Sequence, residues 1–404
     1  MDPLHAASEA LSRGDPLRAL GHVALRDDAP ALALRATALA QLGEYEDAKR
    51  LLNRAERGFR REHAVARARC VVALAELALA TRELLRADAG LARAIAVLER
   101  SGDRDNARYA RMLHARHGLA VGDVRRAEER LAAIDRNRAA PVLAALIALT
   151  QAEIALRRMQ PEPAHAALIV AEREAMRAQV PALIAEVEAS RAALARPVAR
   201  VVRADGTGLL TLDDVCALRA GPALVVDACR RVVQQGDACV QLDTKPVLFG
   251  LLRQLAEAAP QPVGRDALIR VGFGMRRSSD ALRARLRVAM GRLRKLLGPL
   301  AVVRATEHGF ALVPRAPRAV VLLPPQDDDA SALLALLSDG EAWSTSALAL
   351  ALGASQRTVQ RALRALETRD RARSLGRGKN RRWLAPPMHA FATHMLLPPP
   401  SPGA

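Results

Sequence analysis

The chain has 404 residues, half of them apolar but only 2% aromatic, and carries a formal charge of +18. That length supports two to four domains with real cores, and the abundance of Ala, Leu and Arg favours helix over sheet. Such a composition excludes a disordered polyelectrolyte and, with no apolar run of the roughly 18–20 residues that cross a bilayer, a helical membrane protein.

The start, Met1-Asp2-Pro3-Leu4-His5, opens a polar-interrupted helix without a secretory apolar core, so a cytoplasmic location and no membrane partner are expected. From Ala6 to about Ala195 helix follows helix. The clearest unit spans 31–57: one helix ends at Gly43, and the next carries Tyr45, Ala48, Leu51, Leu52 and Ala55 on one face. Spacings of 3, 3, 1 and 3 are those of an amphipathic helix. Weaker echoes of the turn occur at Gly14-Asp15-Pro16, Gly122-Asp123-Val124 and Met159-Gln160-Pro161. The phrase Leu42-Gly43-Glu44-Tyr45-Glu46-Asp47-Ala48 resembles the inter-helix turn of a tetratricopeptide repeat, where Gly permits the turn and Ala lets two helices approach. Gly14, Gly43 and Gly122 do not fit a strict 34-residue period, so residues 1–195 are expected to form a degenerate helical-repeat domain. Such a stack offers a groove for a peptide, a protein partner or a second copy; a plain helical bundle is the alternative. His114 and His117 share a helix face but lack a third ligand for a metal. Cys70, Cys216, Cys229 and Cys239 show no paired short spacing, so no disulfide or zinc framework is expected and they read as small buried residues.

After Arg196-Pro197 the period changes. Residues 196–222 read as a linker with a short β-rich segment at 199–203. Short β-rich runs then occur at 223–227, 231–234 and 238–242, with turns at 227–230 and 235–237, predicting a small antiparallel sheet. A helix over 245–259 places Val247, Leu248, Leu251, Leu252 and Leu255 inward and stops at Pro260 and Pro262. A second covers 265–271, Gly272-Phe273-Gly274 breaks the chain, and a long helix begins near Ser279. There Leu286, Met290, Leu293 and Leu297 bury one stripe, leaving Arg287, Gly291 and Lys295 opposite with Arg283, Arg292 and Arg294 beside them. Val302-Val303-Arg304 and Phe310-Ala311-Leu312 close a hairpin around Glu307-His308-Gly309.

Sheet, three helices and terminal hairpin constitute a winged helix-turn-helix. Residues 223–313 resemble the effector domain of OmpR/PhoB-type response regulators, in Val240-Gln241-Leu242, Leu268-Ile269-Arg270-Val271, Arg292-Leu293-Arg294-Lys295-Leu296-Leu297 and Gly309-Phe310. The resemblance implies that the long helix enters the major groove, that Arg285, Val288 and Arg292 approach bases, and that Arg294 and Arg304 hold phosphates. Phe273 stands where that family usually has Trp. No β-Asp-rich doubly wound pattern precedes the module, so control by aspartate phosphorylation is not expected.

An acidic, proline-bearing linker (316–329) follows the expected module 223–315. The last module, 330–387, begins with a helix over 330–337; a second, over 345–352, turns Ala347, Leu348 and Ala351 inward. Gly353-Ala354-Ser355 makes a sharp turn with Ser355 as N-cap. In the third helix Val359, Leu363 and Leu366 face inward, leaving Gln356, Arg357, Gln360, Arg361 and Arg364 outward, and Thr358 is placed to donate to a phosphate. Arg373–Leu375 and Arg381–Leu384 would pair around Gly376-Arg377-Gly378-Lys379-Asn380. Ser355-x-x-Thr358-Val359-x-Arg361-x-Leu363 is similar to the winged helices of DeoR- and MarR-like regulators. The Gly-Arg-Gly-Lys string lacks the spacer and following Ser/Thr of a phosphate-binding loop. Residues 388–404 read as a loose tail.

Residues 221–315 hold 16 Lys/Arg against 7 Asp/Glu, and residues 341–384 hold 10 against 3; residues 316–340 are net acidic. Charge segregated in this way is an electrostatic footprint. The expected class is mainly α: a helical-repeat domain and two winged helices with small antiparallel sheets. Double-stranded DNA is the expected partner and transcription regulation the expected function, with a protein-interaction scaffold as the alternative. Central contacts would be Arg283, Arg285, Arg287, Val288, Arg292, Arg294, Lys295 and Arg304. C-terminal ones would be Ser355, Gln356, Arg357, Thr358, Gln360, Arg361, Arg364, Arg377, Lys379 and Arg381. No nucleophile–base pair or metal cluster has workable spacing, so neither catalysis nor a cofactor is expected.

Overall fold

The computed structural model describes residues 2–323, except 82, 84–86, 136–138, 204–205, 243, 276–278 and 316, and residues 333–385, except 335, 338–341, 353, 370, 377 and 379–380. These residues are mainly helical with small sheets, and the chain divides near residue 194 into two compact units.

The first unit contains α1 (Pro3–Ser12), α2 (Pro16–Val23), α3 (Ala29–Gln41), α4 (Tyr45–Gly58), α5 (Ala64–Ala80), α6 (Ala87–Arg100), α7 (Arg104–Val121), α8 (Val124–Ala132), α9 (Pro141–Arg157), α10 (Pro161–Ala178) and α11 (Pro181–Leu194). Local chemistry sets many of these boundaries. Asp2, Asp15, Asp28 and Asp123 each accept a hydrogen bond from an amide of the turn they cap, satisfying donors that the helix itself leaves unpaired. Proline at the first positions of α1, α2, α9 and α10 loses nothing there, because those amides lie outside the helical ladder. At the other end Gly43 and Gly122 adopt φ of 87° and 86°, a conformation L side chains rarely take.

Each helix from α1 to α8 packs on the next. Across one helix, α1 meets α3, α3 meets α5, α5 meets α7 and α7 meets α9. Neighbour and next-neighbour packing is the pattern of stacked helical hairpins. Gly118 of α7 sits against Ala127 of α8, where an added Cβ would lie 3.2–3.3 Å from Ala127 atoms. Gly102 (φ 77°) and Met159 (φ 59°) turn the chain as Gly43 does; sequence reading found the second of these but not the first.

A polar seam runs through this helical interior. Arg116 on α7 donates to Thr150 Oγ1 on α9 at 3.1 Å and to Glu186 Oε1 on α11 at 2.6 Å, with both charged side chains almost fully buried. Arg157 pairs with Glu153 at 2.7 Å and donates to the Leu119 carbonyl. Burial, with Glu76 nearby, holds the Tyr109 hydroxyl well above the usual phenol range. Burial also pushes the Cys70 thiol up to about 12.

The second unit starts with β1 (Ala199–Arg203), β2 (Gly206–Leu210) and α12 (Leu212–Ala220). It continues through β3 (Leu224–Asp227), β4 (Val232–Gln235), β5 (Ala238–Gln241), α13 (Pro246–Ala258), β6 (Val263–Gly264), α14 (Arg265–Phe273) and α15 (Asp280–Leu297). Then come β7 (Ala301–Ala305), β8 (Gly309–Pro314) and β9 (Ala319–Leu323). The larger sheet has the order β2-β1-β9-β3-β4-β5 and the smaller β6-β8-β7. Residues 199–203, expected to be β-rich, form β1; residues 206–210 add a second strand that was not expected, and 319–323, expected within the acidic linker, form β9. That strand pairs antiparallel with β1 and parallel with β3, so the sheet is mixed and not purely antiparallel. The physical reason is burial: Val320 and Val321 are 0% exposed and Leu322 is 1%, covered on both faces.

α13, α14 and α15 close over this sheet around Leu251, Leu252, Leu286, Met290 and Leu293. Val247, expected inward, is instead 39% exposed, and Phe249 is buried. α14 continues through Phe273, so Gly274 (φ 67°) alone makes the turn expected over three residues. In the β3–β4 turn Asp227 accepts from the amides of Cys229 and Arg230, and burial raises its carboxyl above the usual range. Cys239, expected buried, is exposed on the edge strand β5.

A separate core gathers Leu333, Leu337, Leu348, Val359, Leu363, Leu366 and Trp383. It joins α16 (Thr345–Leu352), α17 (Gln356–Thr368), β10 (Arg373–Leu375) and β11 (Arg382–Leu384). Ala349, not Ala347, is buried beside Leu348. Trp343 adds a third strand edge, exchanging backbone hydrogen bonds of 2.7–2.8 Å with Trp383. Of the expected helix over 330–337, the described residues Leu333, Leu334, Leu336 and Leu337 are helical.

Candidate nucleic-acid interface

Two helices present cationic faces, and both are built alike. α15 begins at Ser279, whose hydroxyl accepts from the Leu282 amide at 3.3 Å; α17 begins at Ser355, whose hydroxyl accepts from the Thr358 amide at 3.1 Å. Both bury an apolar stripe: Leu282, Leu286, Met290, Leu293 and Leu297 in the first, Val359, Leu363 and Leu366 in the second. Both are followed by an antiparallel pair, β7–β8 and β10–β11.

On α15, Arg283, Arg285, Arg287, Val288, Arg292, Arg294 and Lys295 are all exposed, as is Arg304 on β7. They do not form one surface. Residues two apart on a helix point about 200° away from one another. Arg294 reaches the hairpin, donating to the Val303 carbonyl at 2.7 Å and lying 5.8 Å from the Phe310 ring centre. Arg287, seven residues earlier, shares that side, and so does Arg283, which lies 3.6 Å from Asp280. Arg285, Val288, Arg292 and Lys295 instead line a trough against the start of α13. Arg294 was expected to hold a phosphate. It also ties the helix to the hairpin, because the Val303 carbonyl lies within its reach.

Two residues absent from the sequence-based set shape the hairpin. Arg265, first in α14, donates to the carbonyls of Glu307 (2.7 Å) and Thr306 (3.1 Å), fixing the tip. Gly309 lies so close to β6 that a Cβ would fall 1.9 Å from the Val263 carbonyl oxygen. The Gly309-Phe310 pair signalled a special backbone position, whereas nothing in the sequence marked Arg265.

On α17, Gln356, Arg357, Gln360, Arg361 and Arg364 are exposed. Thr358 is half-buried and its hydroxyl is 2.8 Å from that of Ser355. Ser355 is the N-cap, as expected, and the Thr358 hydroxyl, expected at a phosphate, also contacts it. Arg381 sits 4.9 Å over the Trp383 ring, donates to Ser374 Oγ and faces Glu367 at 3.8 Å, so it braces the strand pair. Arg377 and Lys379 lie outside the described residues.

Among the described residues no group of His, Cys, Asp and Glu could hold a metal, and no helix is long and apolar enough to cross a membrane. Comparison with family models, with curated proteins and with solved structures finds no match to the chain.

Proposed function

We propose that the chain is a transcription regulator that binds duplex DNA through two winged helices, with its tetratricopeptide-like half engaging a partner or a second copy. One observation carries this reading: the same unit occurs twice, a serine-capped helix with a buried stripe, an arginine-rich outer face and a hairpin directly after it. A helix of that girth fits the major groove, and a flanking hairpin reaches the backbone or minor groove. Arg287, Arg304, Arg357, Arg361 and Arg364 supply phosphate contacts, while Gln360 has the donor and acceptor needed to read adenine. The order of strands, helices and hairpin in residues 224–314 agrees with what the OmpR/PhoB-type resemblance implies, and supports the same reading.

The test is binding of the full chain to genomic duplex fragments over a range of salt. Affinity should fall steeply with salt, and Arg361→Ala should reduce the slope of log K against log salt by about 0.9 for one lost phosphate contact. Gln360→Ala should leave that slope unchanged and weaken only the preferred site, by about 1–3 kcal/mol. Absence of duplex affinity at about 0.1 M salt, where non-specific binding by such a surface is still measurable, would overturn the proposal.

A further inference from the structure

The trough between the start of α13 and one side of α15 has a chemistry that a phosphodiester backbone alone does not match. Its volume is about 930 Å³, within the range of small-ligand and peptide-anchor pockets. Lys245, Arg285, Arg292 and Lys295 stand around it, and no carboxylate lines it among the described residues. Its floor, by contrast, is apolar. Val288 is 57% exposed and Val247 is 39% exposed, with Phe273 and Leu296 half-buried between them. The Arg285 guanidinium carbon lies over the Phe273 ring, 4.9 Å from its centre, so it both covers the ring and keeps its charge at the rim.

A phosphodiester backbone would satisfy those cations and leave the floor wet. An uncharged apolar segment would fill the floor and leave four cations unanswered. Both demands are met by an amphipathic helix whose apolar residues recur every three to four positions and whose flanks carry Asp or Glu. The trough also opens at the N-terminal end of a 13-residue helix, where the backbone amides add attraction for negative charge.

We propose that this trough docks an acidic amphipathic helix of a partner protein. The site is separate from the hairpin side of α15, where Arg287 lies, and does not depend on the DNA reading.

The test selects 16-residue peptides from a randomised displayed library on the immobilised full chain, then measures the synthesised winners by fluorescence anisotropy. Winners should be net acidic, with Leu, Phe or Met at i, i+3 or i+4 and i+7. They should bind Val247→Glu at least about tenfold more weakly than the parent, a loss of about 1.4 kcal/mol. Glu is well tolerated in the first turn of a helix, so this variant should keep the parent melting temperature and duplex affinity. Val247→Ser serves if it does not, and Val288→Ser should weaken the same peptides. The proposal fails if no peptide is enriched, if winners are neutral or basic, or if all three variants bind them as the parent does. It fails equally if the Val247 variants lose duplex and peptide affinity together, which would assign the trough to the DNA footprint.

Discussion

The two units use the same residue, arginine, in opposite ways. In the helical unit Arg69, Arg116 and Arg157 are directed inward onto Asp103, Glu186 and Glu153, and each of these pairs is less than one-fifth exposed. On α15 and α17, Arg287, Arg292, Arg357, Arg361 and Arg364 face outward, with no carboxylate partner among the described residues. A guanidinium removed from water must be matched where it sits; one left in water is available to an external anion. Net charge therefore says less than where each cation's counter-charge lies.

The sharpest break in that contrast is Arg116→Met, which removes the buried ion pair with Glu186 in the helical interior. Unfolding by denaturant should show a loss of about 3–5 kcal/mol, and adding Glu186→Leu should restore much of it. An equal loss in the double variant would mean that shape, not charge matching, holds the seam. Next in size is Gly309→Ala, because its methyl would collide with the Val263 carbonyl; forcing β8 off β6 should cost about 2–3 kcal/mol by the measure of overpacked sites. Arg294→Ala and Arg287→Ala then separate the two uses of arginine within one helix. The first should lower stability by about 1 kcal/mol through loss of the Val303 hydrogen bond. The second should leave the melting temperature unchanged and flatten the salt dependence of duplex binding.

The smallest effect is a pH dependence at Asp227. Burial raises its folded pKa above the unfolded value, so the native state holds the proton more tightly. Its contribution to stability is greatest below the unfolded pKa and is lost as pH rises through the folded one. Asp227→Asn keeps an acceptor for the Cys229 and Arg230 amides. Across that window its unfolding free energy should fall less with rising pH than the parent's; matching slopes would remove the burial argument.

Much of the helical unit was legible because caps and turns are local. Asp-Pro at helix starts and glycine at φ near 80° follow from steric and hydrogen-bonding rules that act over four or five residues. Gly102 was passed over although Gly102-Asp103 is followed by Ala107 at the same spacing as Ala127 after Gly122. β9 was hidden for a different reason. Its five-residue apolar run abuts Pro324 and Asp327–Asp329, and composition averaged over that window reads as a linker; only the distant partners β1 and β3 reveal a strand. The candidate interface was readable as a helix face but not as two sides of a helix. The angle between Arg285 and Arg287 is fixed by the sequence, yet which side meets the hairpin depends on tertiary packing. Contacts made within the fold by Arg294, Thr358 and Arg381 went unseen for that reason: each has a neighbour that sequence spacing does not disclose.

The place of β9 also bears on how the molecule is made. β3 is synthesised early, but the strand that lies between it and β1 emerges from the ribosome only after three helices and a hairpin have followed. Until residue 323 is out, β1 and β3 have no neighbour to join them and their apolar faces stay unsealed. A fragment ending at residue 315 should therefore be poorly soluble, whereas one running from 196 to 323 should fold. Pairing across such a sequence gap is slow to find, so closure of this sheet is expected to be the last step in forming the central module.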